Sequence, residues 1–170
     1  GNPGTVNVTV KGKAYSKTEK YIGIGSDDIK ATAFPGYVCT PYITGNTITV
    51  KYAKDSTSWF ARAISNMSEA VGKIKVNGVL FNANTPYPNL TTDKVTAPAI
   101  FGYTATVQFI GSGPSKYIYV NYQRIAKYFY TLSITNPSSS SVNVFVNGTA
   151  FNANTPYDGL TVEKLTATKI

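Results

Sequence analysis

Apolar and polar positions alternate with a period of two along much of this chain, and that alternation predicts strands. In Thr5–Val10, Val6, Val8 and Val10 fall on one face and Asn7 and Thr9 on the other, the pattern of a half-buried strand. Lys11-Gly12-Lys13-Ala14-Tyr15 reads as a strand–glycine–strand corner, and Tyr21–Ile24 as a short strand. Tyr37–Ile43 and Thr47–Tyr52 are strands joined by Thr44-Gly45-Asn46, a hairpin signal. Tyr103–Ile110 and Tyr117–Tyr122 repeat that hairpin around a longer loop, Gly111-Ser112-Gly113-Pro114. Lys73–Val76 and Asn143–Val146 are two more strands.

Both of these last strands run into one phrase. Val76–Tyr87 reads VNGVLFNANTPY, and Val146–Tyr157 reads VNGTAFNANTPY, 70 residues later (146 − 76). Self-similarity at a fixed spacing marks a chain built from a repeated unit. A third, more divergent copy begins at Val10-Lys11-Gly12, where Ala14-Tyr15 matches Ala150-Phe151. Its ending Lys30-Ala31-Thr32-Ala33 resembles Lys94-Val95-Thr96-Ala97 and Lys164-Leu165-Thr166-Ala167, which implies two extra residues in the first copy. The chain therefore divides into three corner modules (about 4–33, 72–98 and 142–170) alternating with two hairpin modules (34–71 and 99–141).

The repeat also settles an ambiguity. Trp59, Phe60, Ala63, Ile64, Met67, Ala70 and Val71 have helical spacing, with Gly72 placed to end a helix. Their counterparts 70 residues on, Phe129–Ser141, contain Asn136-Pro137 and four consecutive serines, which no helix accommodates throughout. Trp59–Ile64 and Phe129–Ile134 are therefore expected to be strands, with at most a helical turn near Ser68–Val71. The expected fold is all-β: two tandem Ig-like β-sandwich units from an internal duplication, over 1–71 and 72–170, with a surplus half-unit.

Composition narrows the chemistry. The 170 residues include no His and one Cys, so Cys39 has neither a disulfide partner nor an imidazole to activate it. His-dependent catalysis and zinc sites are excluded. No catalytic residue is assigned: the acids Asp27, Asp28, Asp55, Asp93, Asp158 and Glu163 sit where turns and strand ends are expected. No cofactor is expected, and Asp27, Asp28, Asp93 and Asp158 are the weak calcium candidates. The net charge is +8, but the basic residues are dispersed and only Arg62 and Arg124 are arginines, which argues against nucleic acid. Acidic glycans or a cell envelope are the more natural partners for that charge. No run of apolar residues is long enough for a membrane-spanning helix. Tyr117-Ile118-Tyr119-Val120-Asn121-Tyr122 is expected to place Tyr on one face and Ile, Val and Asn on the other.

The tyrosine-, threonine- and asparagine-rich composition suits pleated, half-buried surfaces and an extracellular, cell-surface protein. Gly1-Asn2-Pro3-Gly4 leads straight into strand pattern, as a mature product would after signal removal. Asn7, Asn66, Asn89 and Asn147 lie in glycosylation sequons. Three corner modules against two hairpin modules leave an odd half-unit. An unmatched strand segment needs a partner, within the chain or in a neighbour. Thr5, Val6, Asn7, Val8, Thr9 and Val10 form the uncharged terminal strand expected to cross to a neighbour.

In plan and composition the chain resembles archaeal surface filaments: the threads, bundling pili and cannulae whose small β-sandwich subunits are joined by donor-strand complementation. The features in common are the leader GNPGT, the strand VNVTV after it, the sequons and the scarcity of acids. The resemblance implies an extracellular, head-to-tail homopolymer serving adhesion or biofilm, without enzymatic activity. Cannula-type subunits would also imply calcium, and eight acidic residues are a departure from that. The alternative is a monomeric, secreted carbohydrate- or cell-surface-binding β-sandwich module.

Overall fold

The computed structural model describes residues 4–135 and 141–168. Among them the chain is all-β, with fourteen strands in five small sheets, single 3-10 turns and no α-helix.

The three corner modules fold alike. Their middle strands are β1 (Val8–Val10), β7 (Lys75–Val76) and β12 (Val144–Val146). Each is flanked by a short strand after a tight turn and by a returning strand. These flanks are β2 (Lys13–Ala14) and β3 (Ile29–Ala31), β8 (Val79–Leu80) and β9 (Val95–Thr96), and β13 (Thr149–Ala150) and β14 (Leu165–Ala167). The turns Lys11-Gly12, Asn77-Gly78 and Asn147-Gly148 hold both residues at positive φ, near 50° and then 80°. Two left-handed residues in succession make the turn whose twist suits a two-residue hairpin, and Asn-Gly adopts it with least strain. Beyond the turn two rings stack: Tyr15 on Tyr21, Phe81 on Tyr87 and Phe151 on Tyr157, with centroids 5.8, 5.7 and 5.8 Å apart. The second ring's hydroxyl accepts the N–H of Ser16, Asn82 or Asn152 at 2.8, 2.8 and 2.9 Å. Tyr21 thus serves as the motif's final tyrosine in the first copy.

The first copy also ends two residues earlier than its wording suggests. Lys11 N–H donates to the Asp28 carbonyl as Asn77 does to Lys94 and Asn147 to Lys164, at 2.8, 2.9 and 2.9 Å. Asp28 therefore stands in the place of Lys94 and Lys164, and all three modules span 17 residues between these positions (28 − 11, 94 − 77, 164 − 147). The apparent insertion disappears. A two-residue slip returns every side chain to its own face, so alternation alone could not expose it.

The hairpins are β4 (Tyr37–Thr44) with β5 (Thr47–Lys54), and β10 (Tyr103–Ile110) with β11 (Tyr117–Arg124). The segment with helical spacing is a strand, β6 (Ala63–Ser65), followed by a 3-10 turn at Ser68–Ala70. β6 lies before the boundary expected at 71/72, yet it pairs in parallel with β11, giving the sheet β10-β11-β6. That sheet faces the sheet β8-β7-β9. Between them Phe60, Ala70, Ile74, Val76, Val95, Ile118, Val120 and Tyr122 form one buried cluster. Tyr21–Ile24 is not a strand; it is a loop in which Gly23 takes a φ of 60°. Phe129–Ile134, expected to be a strand like its counterpart, pairs with no strand among the described residues.

Candidate assembly interface

Each hairpin module is locked to the corner module that follows it by the same residues. Gly36 is buried at a φ of 75°, and a Cβ there would overlap the ring of Pro86. Gly102, at 83°, meets Pro156 in the same way. In the first lock Tyr37 packs edge-on against Trp59 at 5.6 Å, with the Lys54 ammonium 4.1 Å from the indole centroid. In the second, Tyr103 packs on Phe129 at 5.4 Å under the Arg124 guanidinium at 4.7 Å. Tyr87 N–H donates to the Ser58 carbonyl at 2.7 Å, and Tyr157 N–H to the Tyr128 carbonyl at 2.8 Å. Trp59 Nε1 donates to the Gly36 carbonyl at 2.7 Å. Asp55 shapes the turn before Ser58: its carboxylate accepts from the Ser58 hydroxyl at 2.7 Å and from Thr57 N–H at 2.9 Å. Those bonds, led by Ser58, hold the Asp55 carboxyl below its ordinary range. The proline and tyrosine of the repeated phrase thus dock one module on another.

A second contact carries the chain from one unit into the next. After the first lock, Phe60 is buried between Tyr87 and Phe109, with centroids 6.5 and 5.0 Å away. Lys116, from the long β10–β11 loop, lies 4.4 Å over its ring and donates to the Thr57 carbonyl. The strand then zips onto the outer edge of β11, pairing Ala63 with Ile118, Ile64 with Tyr119 and Ser65 with Val120. Asn66 ends the zipper. Its Nδ2 donates to the Tyr122 carbonyl at 2.9 Å, and its Oδ1 accepts Tyr122 N–H at 2.8 Å. That side chain mimics one more residue of strand. Tyr122 in turn donates its hydroxyl to the Pro98 carbonyl at 2.6 Å, and burial raises its pKa above 10.

Counterparts of the same two surfaces recur in the first and last modules, uncovered among the described residues. Counting a unit as a corner sheet with the hairpin laid on it, the first unit is β1–β3 with β4–β5, the central unit β7–β9 with β10–β11, and the third, among the described residues, has β12–β14 alone. In the first unit the outer edge of β5 takes no strand among the described residues. Beside it lies an open groove of about 610 Å³ whose lining includes Tyr15, Tyr21, Ile24, Ile43 and Ile48. These residues correspond to Phe81, Tyr87, Leu90, Phe109 and Ile118, the surroundings of Phe60 and β6. The other strand of this hairpin, β4, carries Pro41 and cannot form a full ladder on its free side. The β5 sequence TITVKYAK holds no proline. In the third unit Tyr130 packs on Tyr157 at 6.4 Å, as Phe60 does on Tyr87. The segment after it, residues 131–135, is exposed. With the third corner module it borders an apolar cleft of about 400 Å³ that includes Leu132, Ile134, Val144, Val162 and Leu165.

The residues singled out from sequence are distributed differently. Of Thr5–Val10, residues Val8–Val10 form the middle strand of the first corner sheet, hydrogen-bonded to β2 and β3, so both edges are taken. Asp27, Asp93 and Glu163 hold the same 3-10 position in three successive modules, and the repeat itself keeps them on separate sheets. Asp28 caps its turn by accepting Gly25 N–H at 2.9 Å, and Asp158 lies in an exposed loop beside Gly159. Among the described residues no group of three or more Asp, Glu, Cys or His side chains converges on a metal-sized site. Cys39 is half-buried in β4 opposite Tyr52. Asn7, Asn89 and Asn147 are exposed, the last two in left-handed turn positions, whereas the amide of Asn66 is engaged with Tyr122. In β11 the buried face is Ile118, Val120 and Tyr122, so the tyrosines divide between faces and form no single row. No helix among the described residues is long and apolar enough to cross a membrane. The sequence reading missed β5's outer edge and residues 131–135, although the 70-residue spacing from β11 and β6 points to both.

No family model, curated protein or solved structure matches this chain.

Proposed function

We propose that this protein is a non-enzymatic structural subunit whose copies join head to tail by β-strand addition into an extracellular filament or surface assembly. Its units are read as Ig-like sandwiches multiplied by internal duplication. The strand that crosses is 131–135, and its acceptor is the outer edge of β5; Thr5–Val10 stays at home. One observation carries this reading: the chain already contains such a joint, as β6 on β11, and carries counterparts of both its halves in its first and last modules. A head-to-tail contact between unlike surfaces gives a closed ring where its rotation closes and an open filament where it does not. An unpaired, proline-free strand edge is the surface most prone to such pairing. The +8 charge suits attachment to acidic glycans or a cell envelope. The archaeal filaments named above use a joint of the same general kind.

Transfer of the internal register sets Ser133 against Ile48, Ile134 against Thr49 and Thr135 against Val50. The test is disulfide trapping in a Cys39→Ser background. Thr49→Cys and Ile134→Cys chains, mixed and oxidised, should give a heterodimer far in excess of either homodimer, and the double variant should give ladders. A protein that stays monomeric at all concentrations and gives no such link would instead be the secreted carbohydrate- or surface-binding module.

A further inference from the structure

The β4–β5 hairpin has two equivalent covers available to it. Within its own chain it is covered by the first corner module, where the Tyr52 hydroxyl donates to the Thr32 carbonyl at 2.6 Å. The central unit repeats that bond between Tyr122 and Pro98, also at 2.6 Å. The third corner module has the same fold, and Thr168 is its counterpart of Thr32 and Pro98. Thr168 N–H donates to the Asn143 carbonyl at 3.0 Å, as Thr32 N–H does to Asn7. What differs is the cover. Ile29, Val95 and Leu165 are equivalent residues of the returning strands, 2%, 7% and 39% exposed. Among the described residues the third module lacks a hairpin laid across it, and its cleft runs on into 131–135, the counterpart of β6, which pairs with such a hairpin in the central unit.

Residues 34–168 alone therefore hold complementary ends: a hairpin at the front and a strand plus a corner sheet at the back. The first corner module is the surplus half-unit, and it sits on the face that the third module of another copy would use. We propose that residues 4–33 are a cis cap on the β4–β5 hairpin, displaced by the third corner module of a second copy when two copies join. This rests on the head-to-tail reading and adds an exchange to it. The occupant of the third module's cleft is the second copy's β4–β5 hairpin. In the exchange Ile29 is replaced by Leu165 and Thr32 by Thr168, so the covering contacts are closely matched. The trans joint also adds the strand 131–135 on the β5 edge, which the cis cap does not supply. A cap of this kind keeps freshly made chains apart: exchange requires the first module to open, and opening is slow while Val10 and Ile29 stay buried.

The test uses full chains carrying the Thr49→Cys and Ile134→Cys trapping pair. Val10→Ala loosens the cap and should raise the rate of cross-linking about tenfold. Leu165→Asp alters a residue exposed in the free chain, so the monomer still folds, yet cross-linking should fall at least tenfold. Trypsin should release fragments ending at Lys11, Lys13, Lys17, Lys20 or Lys30 from assembled protein much faster than from monomer. Should cross-links form while Leu165→Asp has no effect and residues 4–33 stay protected, the cap remains in the joint and the exchange is wrong, though strand addition stands. Failure of the unsubstituted trapping pair and the Val10→Ala variant alike to cross-link, with both folded by circular dichroism, removes the head-to-tail reading and the exchange with it.

Discussion

Gly36 and Pro86 touch across the junction of a hairpin module and the corner module after it, and Gly102 and Pro156 make the same contact in the next repeat. In each pair the glycine is needed twice over: φ is strongly positive, and the space a Cβ would take is filled by the proline ring. Gly36→Ala should therefore destabilise the fold by about 2–4 kcal/mol, combining overpacking with left-handed strain. Urea unfolding checks this, and Gly45→Ala, which meets only left-handed strain in open space, should cost about 1 kcal/mol.

Asn66 should remain unglycosylated even where Asn7, Asn89 or Asn147 is occupied. Its Nδ2 is the atom a glycan would modify, and that atom already donates to Tyr122. Mass spectrometry of protein secreted from a glycosylating host reads the occupancy. Asn66→Ala should cost about 1–3 kcal/mol by leaving Tyr122 backbone groups without their partner.

The alkaline limit of stability should involve Tyr122. Burial raises its pKa above the ordinary value of 10.0, so the folded chain holds the phenolic proton more tightly than the unfolded chain. Its contribution is complete below pH 10 and is lost as pH rises through the higher folded value. Tyr122→Phe should be less stable at neutral pH by about 1 kcal/mol, through loss of the bond to Pro98. The deficit should shrink as pH is raised above 10. A deficit that stays constant from pH 7 to 11 would contradict this assignment.

Removal of residues 1–6 should leave assembly unchanged. The middle strand of the first sheet begins at Val8, and the Asn7 carbonyl accepts Thr32 N–H at 3.0 Å, so among the described residues the module's ladder starts at Asn7. Sedimentation of the truncated and full chains compares them directly, and loss of assembly on truncation would restore the N-terminal strand as the donor.

Strands and repeats were legible in the sequence because alternation and spacing are local properties. Tyr37–Ile43, Thr47–Tyr52 and the corner at Val76 follow from them directly. Other features were less legible, each for a physical reason. The wording Lys30-Ala31-Thr32-Ala33 points to Lys30 as the counterpart of Lys94, whereas Asp28 holds that place, because a two-residue slip preserves the faces. Trp59–Val71 has helical spacing because its apolar residues serve two contacts in succession, Trp59 the lock and Phe60 the core between sheets, and only the repeat points to the strand that β6 forms there. Residues 129–134 repeat that segment, yet only the first is a strand. Pairing belongs to two segments at once, and β11 is present for β6 while nothing among the described residues plays that part for 131–135. Thr5–Val10 is expected from sequence to cross to a neighbour, yet Val8–Val10 pair with β2 and β3 in their own chain, since clean alternation marks a strand paired at home as readily as a donated one.

The joint proposed between β5 of one copy and residues 131–135 of another is tested most directly by the Thr49→Cys and Ile134→Cys pair. Mixed in the Cys39→Ser background and oxidised, the two chains should form a disulfide-linked heterodimer. Moving the first cysteine four residues along the strand, to Ala53, should abolish the link. Equal cross-linking from positions 49 and 53, or none from either at concentrations where the protein sediments as a polymer, would show that the copies meet through some other surface.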